Sequence, residues 1–272
     1  MTKTKIEWAD RVWNPVTGCT KVSAGCANCY AERIAKRFWG ERPFGEVRCH
    51  PERLEDPLKW RKPARVFVNS MSDLFHPSVD KDFIGDVFRV MQKTPHHTYM
   101  ILTKRPKDML YWFNLMNAER FLENVWLGVS VEDQEEAYER IPYLLNTPAA
   151  VRFVSVEPML GPVNIVRALL STPKGVINWV ICGGESGPGA RPMHPDWVRS
   201  LRDQCQEAKA PFFFKHWGEW ASDCLCDSKE PHITIDRPQP GLRGCMFRCG
   251  KVRAGRVLDG RTWDEYPEVK ND

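Results

Sequence analysis

Cys19, Cys26 and Cys29 fall in one glycine-flanked loop, spaced Cys-x6-Cys-x2-Cys. Three thiolates from so short a stretch can hold a metal or cluster and leave one coordination position open, and an open position is where metal chemistry occurs. Three assignments compete. A structural zinc needs a fourth ligand, such as Cys49 or His50, and is normally built from two Cys-x2-Cys knuckles, whereas this segment has one. A catalytic zinc would use three thiolates plus water. An iron–sulfur cluster held by three cysteines would keep one iron free. Four further cysteines, Cys224, Cys226, Cys245 and Cys249, are spaced for a second site, zinc or another cluster, with His232 as a spare ligand. Cys182 and Cys205 fit ordinary packing.

Short apolar runs recur along the chain at 66–68, 99–102, 125–129, 151–154, 176–181 and 212–214. They are continuous rather than alternating, as in strands covered on both faces. Each is followed by polar groups. Asn69 to Asp73 follow the first run, and Thr103, Lys104 and Arg105 the second. Ser130 and Glu132 follow the third, and Ser155 and Glu157 the fourth. Gly183, Gly184 and Glu185 follow the fifth, and Lys215 and His216 the sixth. Asp73, Glu132, Glu157, Lys215 and His216 are candidates for proton transfer or charge stabilisation. Lys104, Arg105, Ser130, Tyr30, Gly183, Gly184 and Glu185 are candidates for binding a cofactor or an anionic group.

The elements that must position these groups alternate. Helical faces appear at Phe83, Ile84, Val87, Phe88 and Met91, at Met109, Leu110, Trp112, Phe113 and Met116, and at Trp197, Val198, Leu201, Cys205 and Ala208. Asp80 or Ser78 caps the first, and His194-Pro195-Asp196 opens the last. Ala31, Ile34, Ala35 and Phe38 form a further helix directly after the cysteine loop. With an earlier strand near 11–17, seven strand–helix units predict an α/β chain with a parallel sheet. A complete or partial (β/α) TIM-type barrel fits them best, with a doubly wound sheet as the structural alternative. In a barrel every strand end, and the cysteine loop, reaches the same rim. The expected divisions are a barrel over 1–217, a Cys- and Pro-rich insertion or subdomain over 218–250, and a tail over 251–272 packing on the barrel.

The 272 residues are 42% hydrophobic and 27% charged, ordinary for a globular protein. There is no apolar run long enough for a membrane span and no signal-peptide pattern, so a cytoplasmic address is expected, where thiols stay reduced. Ten cysteines then point to metal or redox chemistry. The net charge of +4 alone predicts no nucleic-acid partner, but Arg243, Arg248, Lys251, Arg253 and Arg256 form an acid-free run suited to a phosphate backbone or to a plain solvated face.

The segments WNPVTGC (13–19), SAGCANCYA (23–31), SVEPMLG (155–161), GGESG (183–187), FFKHWG (213–218) and AGRVLDGRTW (254–263) resemble the three-cysteine-motif phage-type family of unknown function. That family in turn resembles divergent radical S-adenosylmethionine (SAM) enzymes, whose common first cysteine gap is three residues rather than the six found here. The resemblance implies a partial or full barrel and a [4Fe–4S] cluster on Cys19, Cys26 and Cys29. It also implies SAM bound at the free iron and cleaved by one electron to a 5′-deoxyadenosyl radical. Implied partners are an electron donor such as a flavodoxin or ferredoxin and a methyltransferase-like protein. A nucleic acid or nucleotide is the expected substrate.

Overall fold

A computed structural model of the chain describes residues 4, 6–116, 122–170, 175–222, 231–236 and 243–268. Its centre is one parallel sheet of seven strands: β1 (Arg11–Trp13), β2 (Arg65–Val68), β3 (Thr98–Thr103), β4 (Val125–Val131), β5 (Val151–Val156), β6 (Trp179–Gly183) and β7 (Phe212–His216). They lie in sequential order, with Trp13 opposite Val68, Val68 opposite Ile101, Thr103 opposite Val129 and Val131 opposite Val156. The helices are α1 (Tyr30–Phe38), α2 (Lys81–Lys93), α3 (Pro106–Leu115), α4 (Gln134–Asn146), the short α5 (Val166–Leu169) and α6 (Pro195–Glu207).

Period-2 alternation divides the strand residues between two cores. On β4, Val125, Leu127, Val129 and Val131 pack in the larger core with the helices, while Trp126 packs in a second cluster with Phe67, Met100, Phe153, Trp179 and Phe213. Both faces are apolar, so the strands appear in the sequence as unbroken runs. Gly128 makes room inside the second cluster, since a Cβ there would lie 2.5 Å from the Phe153 ring.

The sheet is curled. β2 and β6 are four strand spacings apart, about 19 Å in a flat sheet. Yet the Trp8 ring lies 4.6 Å from Phe67 on β2 and 6.3 Å from Trp179 on β6. The second cluster is therefore the inside of a partial TIM-type barrel, filled at one end with aromatic rings. The doubly wound alternative fails, because its strand order reverses at a switch point and this one runs in sequence.

The tail covers the outer edge of β7. Phe214 N donates to Trp263 O, and Glu265 N donates to Phe212 O. Tyr266 packs against Trp179 and Phe213, and the Arg65 guanidinium lies 4.3 Å from its ring centre. Asp80 caps α2 by accepting from Asp82 N and Phe83 N, and His194 caps α6 by accepting from Asp196 N.

Two local details differ from what the sequence pattern predicts. In α1 the alanines Ala31 and Ala35 are buried, but Ile34 and Phe38 are 41% and 70% exposed. Val176 and Ile177 precede β6, because Ile177 N donates to Ala168 O at the end of α5 rather than to the sheet. After the barrel comes an antiparallel sheet of β8 (Trp220–Ser222), β9 (His232–Asp236) and β10 (Arg243–Arg248), with β10 central. Cys245 lies on β10 and Cys249 just beyond it, while Cys224 and Cys226 lie outside the described residues.

Candidate active site

The cysteine loop leaves a two-residue antiparallel ladder, Val16–Thr17 with Arg48–Cys49, through Gly18 at φ +93°. A Cβ at Gly18 would lie 2.2 Å from Glu46 O, so the turn requires glycine. Cys19 N donates to Phe44 O, Ala24–Cys26 form a 3-10 turn, and Cys29 leads into α1. All three cysteines line one pocket of about 150 Å³, together with Asn69, Asp73 and Arg105. Burial pushes the Cys19 thiol up to about 11, helped by the Asp73 charge and opposed by Arg105. A metal binding there must displace a proton.

Two features of this pocket fit an electron-rich iron–sulfur group. Arg105 Nη1 lies 3.5 Å from Cys19 Sγ. The Asn69 amide N is buried with no partner among the described residues, and an orphaned buried donor costs about 1–3 kcal/mol until something accepts from it. Among the described residues no three Cys, His, Asp or Glu side chains are already grouped to hold one metal ion.

A second cavity of about 200 Å³ adjoins the first, sharing Cys26, Cys29, Tyr30, Lys104 and Ser130. Trp8, Phe67 and Leu102 form its apolar side, and Ser155, Glu157, Lys215 and His216 its polar side. Ser155 Oγ donates to Glu157 Oε2 at 3.0 Å, and Lys215 Nζ lies 3.2 Å from Glu157 Oε1. The Glu157–Pro158 peptide is cis. A Cβ at Gly183 would lie 2.5 Å from Glu157 Oε1, and one at Gly184 1.9 Å from Trp217 O. Both glycines are thus needed by neighbours within the chain. Burial, then the positive charges of Lys215 and Lys251, pushes the His216 imidazole down to about 2, so the ring is neutral at physiological pH. The Tyr30 hydroxyl donates to Ser70 O at 2.6 Å.

The other rim carboxylates are engaged by the chain itself. Glu132, fully buried, pairs with Lys104, accepts from Arg140 Nη1 at 3.1 Å and from Ser23 Oγ at 3.1 Å. It lies under the cysteine loop, where a Cβ on Gly25 would come within 2.3 Å of its Oε1. Asp73 accepts from Thr103 Oγ1, Lys104 N and Phe75 N, and pairs with Arg105 at 3.4 Å. Glu185 accepts from Arg191 N, Nε and Nη2 and from Asn28 Nδ2. Burial raises the Glu185 carboxyl, but the Arg191 and Asn28 bonds outweigh it and the net shift is downward. Arg191 Nη2 also donates to Ala24 O, so this pair ties the cysteine loop to the end of β6.

All three loop cysteines, Glu157, Lys215, His216, Lys104, Ser130 and Glu185 therefore line the two adjoining cavities, and Asp73 and Arg105 line the cysteine pocket. Arg140, Arg191 and Trp8 belong to the site without being candidates from residue type and spacing, as does Arg33, which lines the second cavity and donates to Ser186 O. Arg140 carried a signal, an arginine on the inward stripe of α4 with Ala137, Ile141 and Leu144. Of the basic run near the C-terminus, Arg248 donates to Gly187 O, Lys251 pairs with Glu7 at 3.1 Å, and Arg256 pairs with Asp264.

Residues 3–267 match the model of a family described as a protein of unknown function, DUF5131. No curated protein matches. Among solved structures, a spore photoproduct lyase mutant is similar at 11% identity, with a TM-score of 0.46 and coverage of 91% of this chain and 71% of that one. A mutant of the same lyase with bound AdoMet and dinucleoside spore photoproduct gives a TM-score of 0.47 at the same identity and coverage. At that level of likeness the functional reading stands on this chain's own residues.

Proposed function

The chain belongs to the DUF5131 family of proteins of unknown function, and we propose that it is an iron–sulfur enzyme with radical-SAM-like chemistry. The observation that carries this reading is the convergence of Cys19, Cys26 and Cys29 on one pocket that opens beside a second cavity at the rim of a parallel half-barrel. Three thiolates would hold a [4Fe–4S] cluster and leave one iron without a protein ligand. When bound, the cluster supplies single electrons for reductive cleavage of SAM.

The remaining roles belong to the chain. Arg105 offsets negative charge at Cys19. Ser155 and Lys215 fix the Glu157 carboxylate so that it accepts from ribose hydroxyls in the cavity. Trp8, Phe67 and Leu102 keep water from the apolar side, which protects a reactive intermediate from quenching. Lys104 and Arg140 neutralise Glu132 beneath the loop, so that it holds Ser23 rather than moving a proton. A nucleic acid or nucleotide is the proposed substrate class, supported by the family resemblance and by the basic run near the C-terminus.

The test is anaerobic purification with assays for iron, sulfide and zinc, then addition of SAM and reductant with detection of 5′-deoxyadenosine. A brown protein that forms it, faster when its DNA or RNA substrate is supplied, is expected. A colourless protein with stoichiometric zinc and no iron replaces this reading with the zinc one. Cys29→Ala should lose the iron, while Cys205→Ala, fully buried on the apolar face of α6, should keep it.

A further inference from the structure

We propose that Asn69 donates a hydrogen bond from Nδ2 to a sulfur of the cluster and so raises its reduction potential; this rests on the cluster reading above. Several buried polar atoms lack a partner among the described residues, but Asn69 Nδ2 alone belongs to a side chain lining the cysteine pocket. Asn69 is 3% exposed, so water does not readily replace the missing acceptor.

The amide's orientation is fixed by its other end. Val16 N donates to Asn69 Oδ1 at 3.1 Å, which leaves the NH₂ as the end without a partner. Asn69 directly follows β2 at φ +61°, in the left-handed region that asparagine tolerates better than most residues. Its backbone is held as well, with Asn69 N donating to Trp13 O at 2.8 Å and Ser72 N to Asn69 O. The chain thus fixes three groups of this residue and leaves one donor unmet at the cysteines. Thiolate and sulfide sulfurs are acceptors that fit it, and N–H bonds to cluster sulfurs favour the electron-richer reduced state. Arg105, beside Cys19, acts in the same direction.

Asn69→Asp suits the same backbone and keeps an acceptor for Val16 N while losing the donor, but its added negative charge also lowers the potential, so the proposal stands only if the neutral Asn69→Gly shows the fall as well. Wild type and variant are loaded with iron and sulfide without oxygen, and midpoint potentials are measured by EPR-monitored titration. The expected result is a fall of at least 59 mV, a tenfold change in the one-electron equilibrium. Equal midpoints at equal iron and sulfide content overturn the proposal and leave the cluster reading intact. A wild-type protein that takes up no iron overturns both. Asn69→Gly, suited to positive φ, is the second variant and should also lower the potential. If neither variant binds a cluster, Asn69 is a structural pin for the strand leading to Cys19, and the tuning role falls.

Discussion

Glu185 accepts four hydrogen bonds, three from Arg191 and one from Asn28, and sits almost wholly out of water. Arg191→Ala removes both guanidinium bonds and leaves that buried carboxylate with only the backbone N–H of residue 191 and the Asn28 amide. A buried ion pair that loses one partner costs about 3–5 kcal/mol, and partial exposure of Arg191 lowers this to about 2 kcal/mol. Urea unfolding should show that loss in midpoint, with Arg191→Lys recovering only part of it because the two-pronged contact is gone. His216 gives a pH signature. Its folded pKa of about 2 lies below the ordinary 6.5, so between these values the unfolded chain binds a proton that the folded chain does not. Stability is therefore full above pH 6.5 and falls as pH drops, by about 1.4 kcal/mol per pH unit from this group. His216→Asn should flatten the difference between unfolding free energies measured at pH 6.5 and pH 5.5. An unchanged slope would mean that the imidazole is not shielded as its burial implies.

At the scale of elements, the cysteine loop is clasped from below by Ser23 on Glu132 and from the side by Asn28 and Ala24 on Glu185 and Arg191. Gly25 is the point of closest approach. Gly25→Ala would press a methyl on Glu132, whereas Gly45→Ala meets nothing within 4 Å. The first substitution should destabilise the fold by about 1–3 kcal/mol and weaken iron retention, and the second should leave both nearly unchanged, as thermal unfolding and iron assays would show. Much of this arrangement was legible in the sequence. Continuous apolar runs marked the strands, because both faces of a covered parallel sheet are dry, and the polar residue after each run marked the rim. What escaped was any contact made by a side chain from a segment without periodicity. Arg191 lies in an irregular stretch before α6, and nothing in spacing could pair it with Glu185. Glu132, expected from the sequence as a site carboxylate, is enclosed by Lys104, Arg140 and Ser23, contacts that strand-end position alone does not reveal. Ile34 and Phe38 continued the apolar pattern of Ala31 and Ala35 but lie in solvent, since periodicity marks a face and not what covers it.

For the molecule as a whole, the curl of the sheet depends on the inner aromatic cluster. Trp179 is its hub, within 6.3 Å of Trp8, Trp126, Phe153, Phe213 and Tyr266, and its indole N donates to Glu265 O. Trp179→Ala should cost about 3–5 kcal/mol and loosen the tail that crosses from β7 towards β2, which calorimetry and limited proteolysis after residue 255 would detect. The cluster also makes the half-barrel a blind passage. Its far end is stopped by rings that are 6% exposed or less, from Trp8 and Phe67 to Trp179 and Phe213. These rings therefore set the floor of the cavity between Glu157 and the cysteines, and with it how deep a bound group can reach.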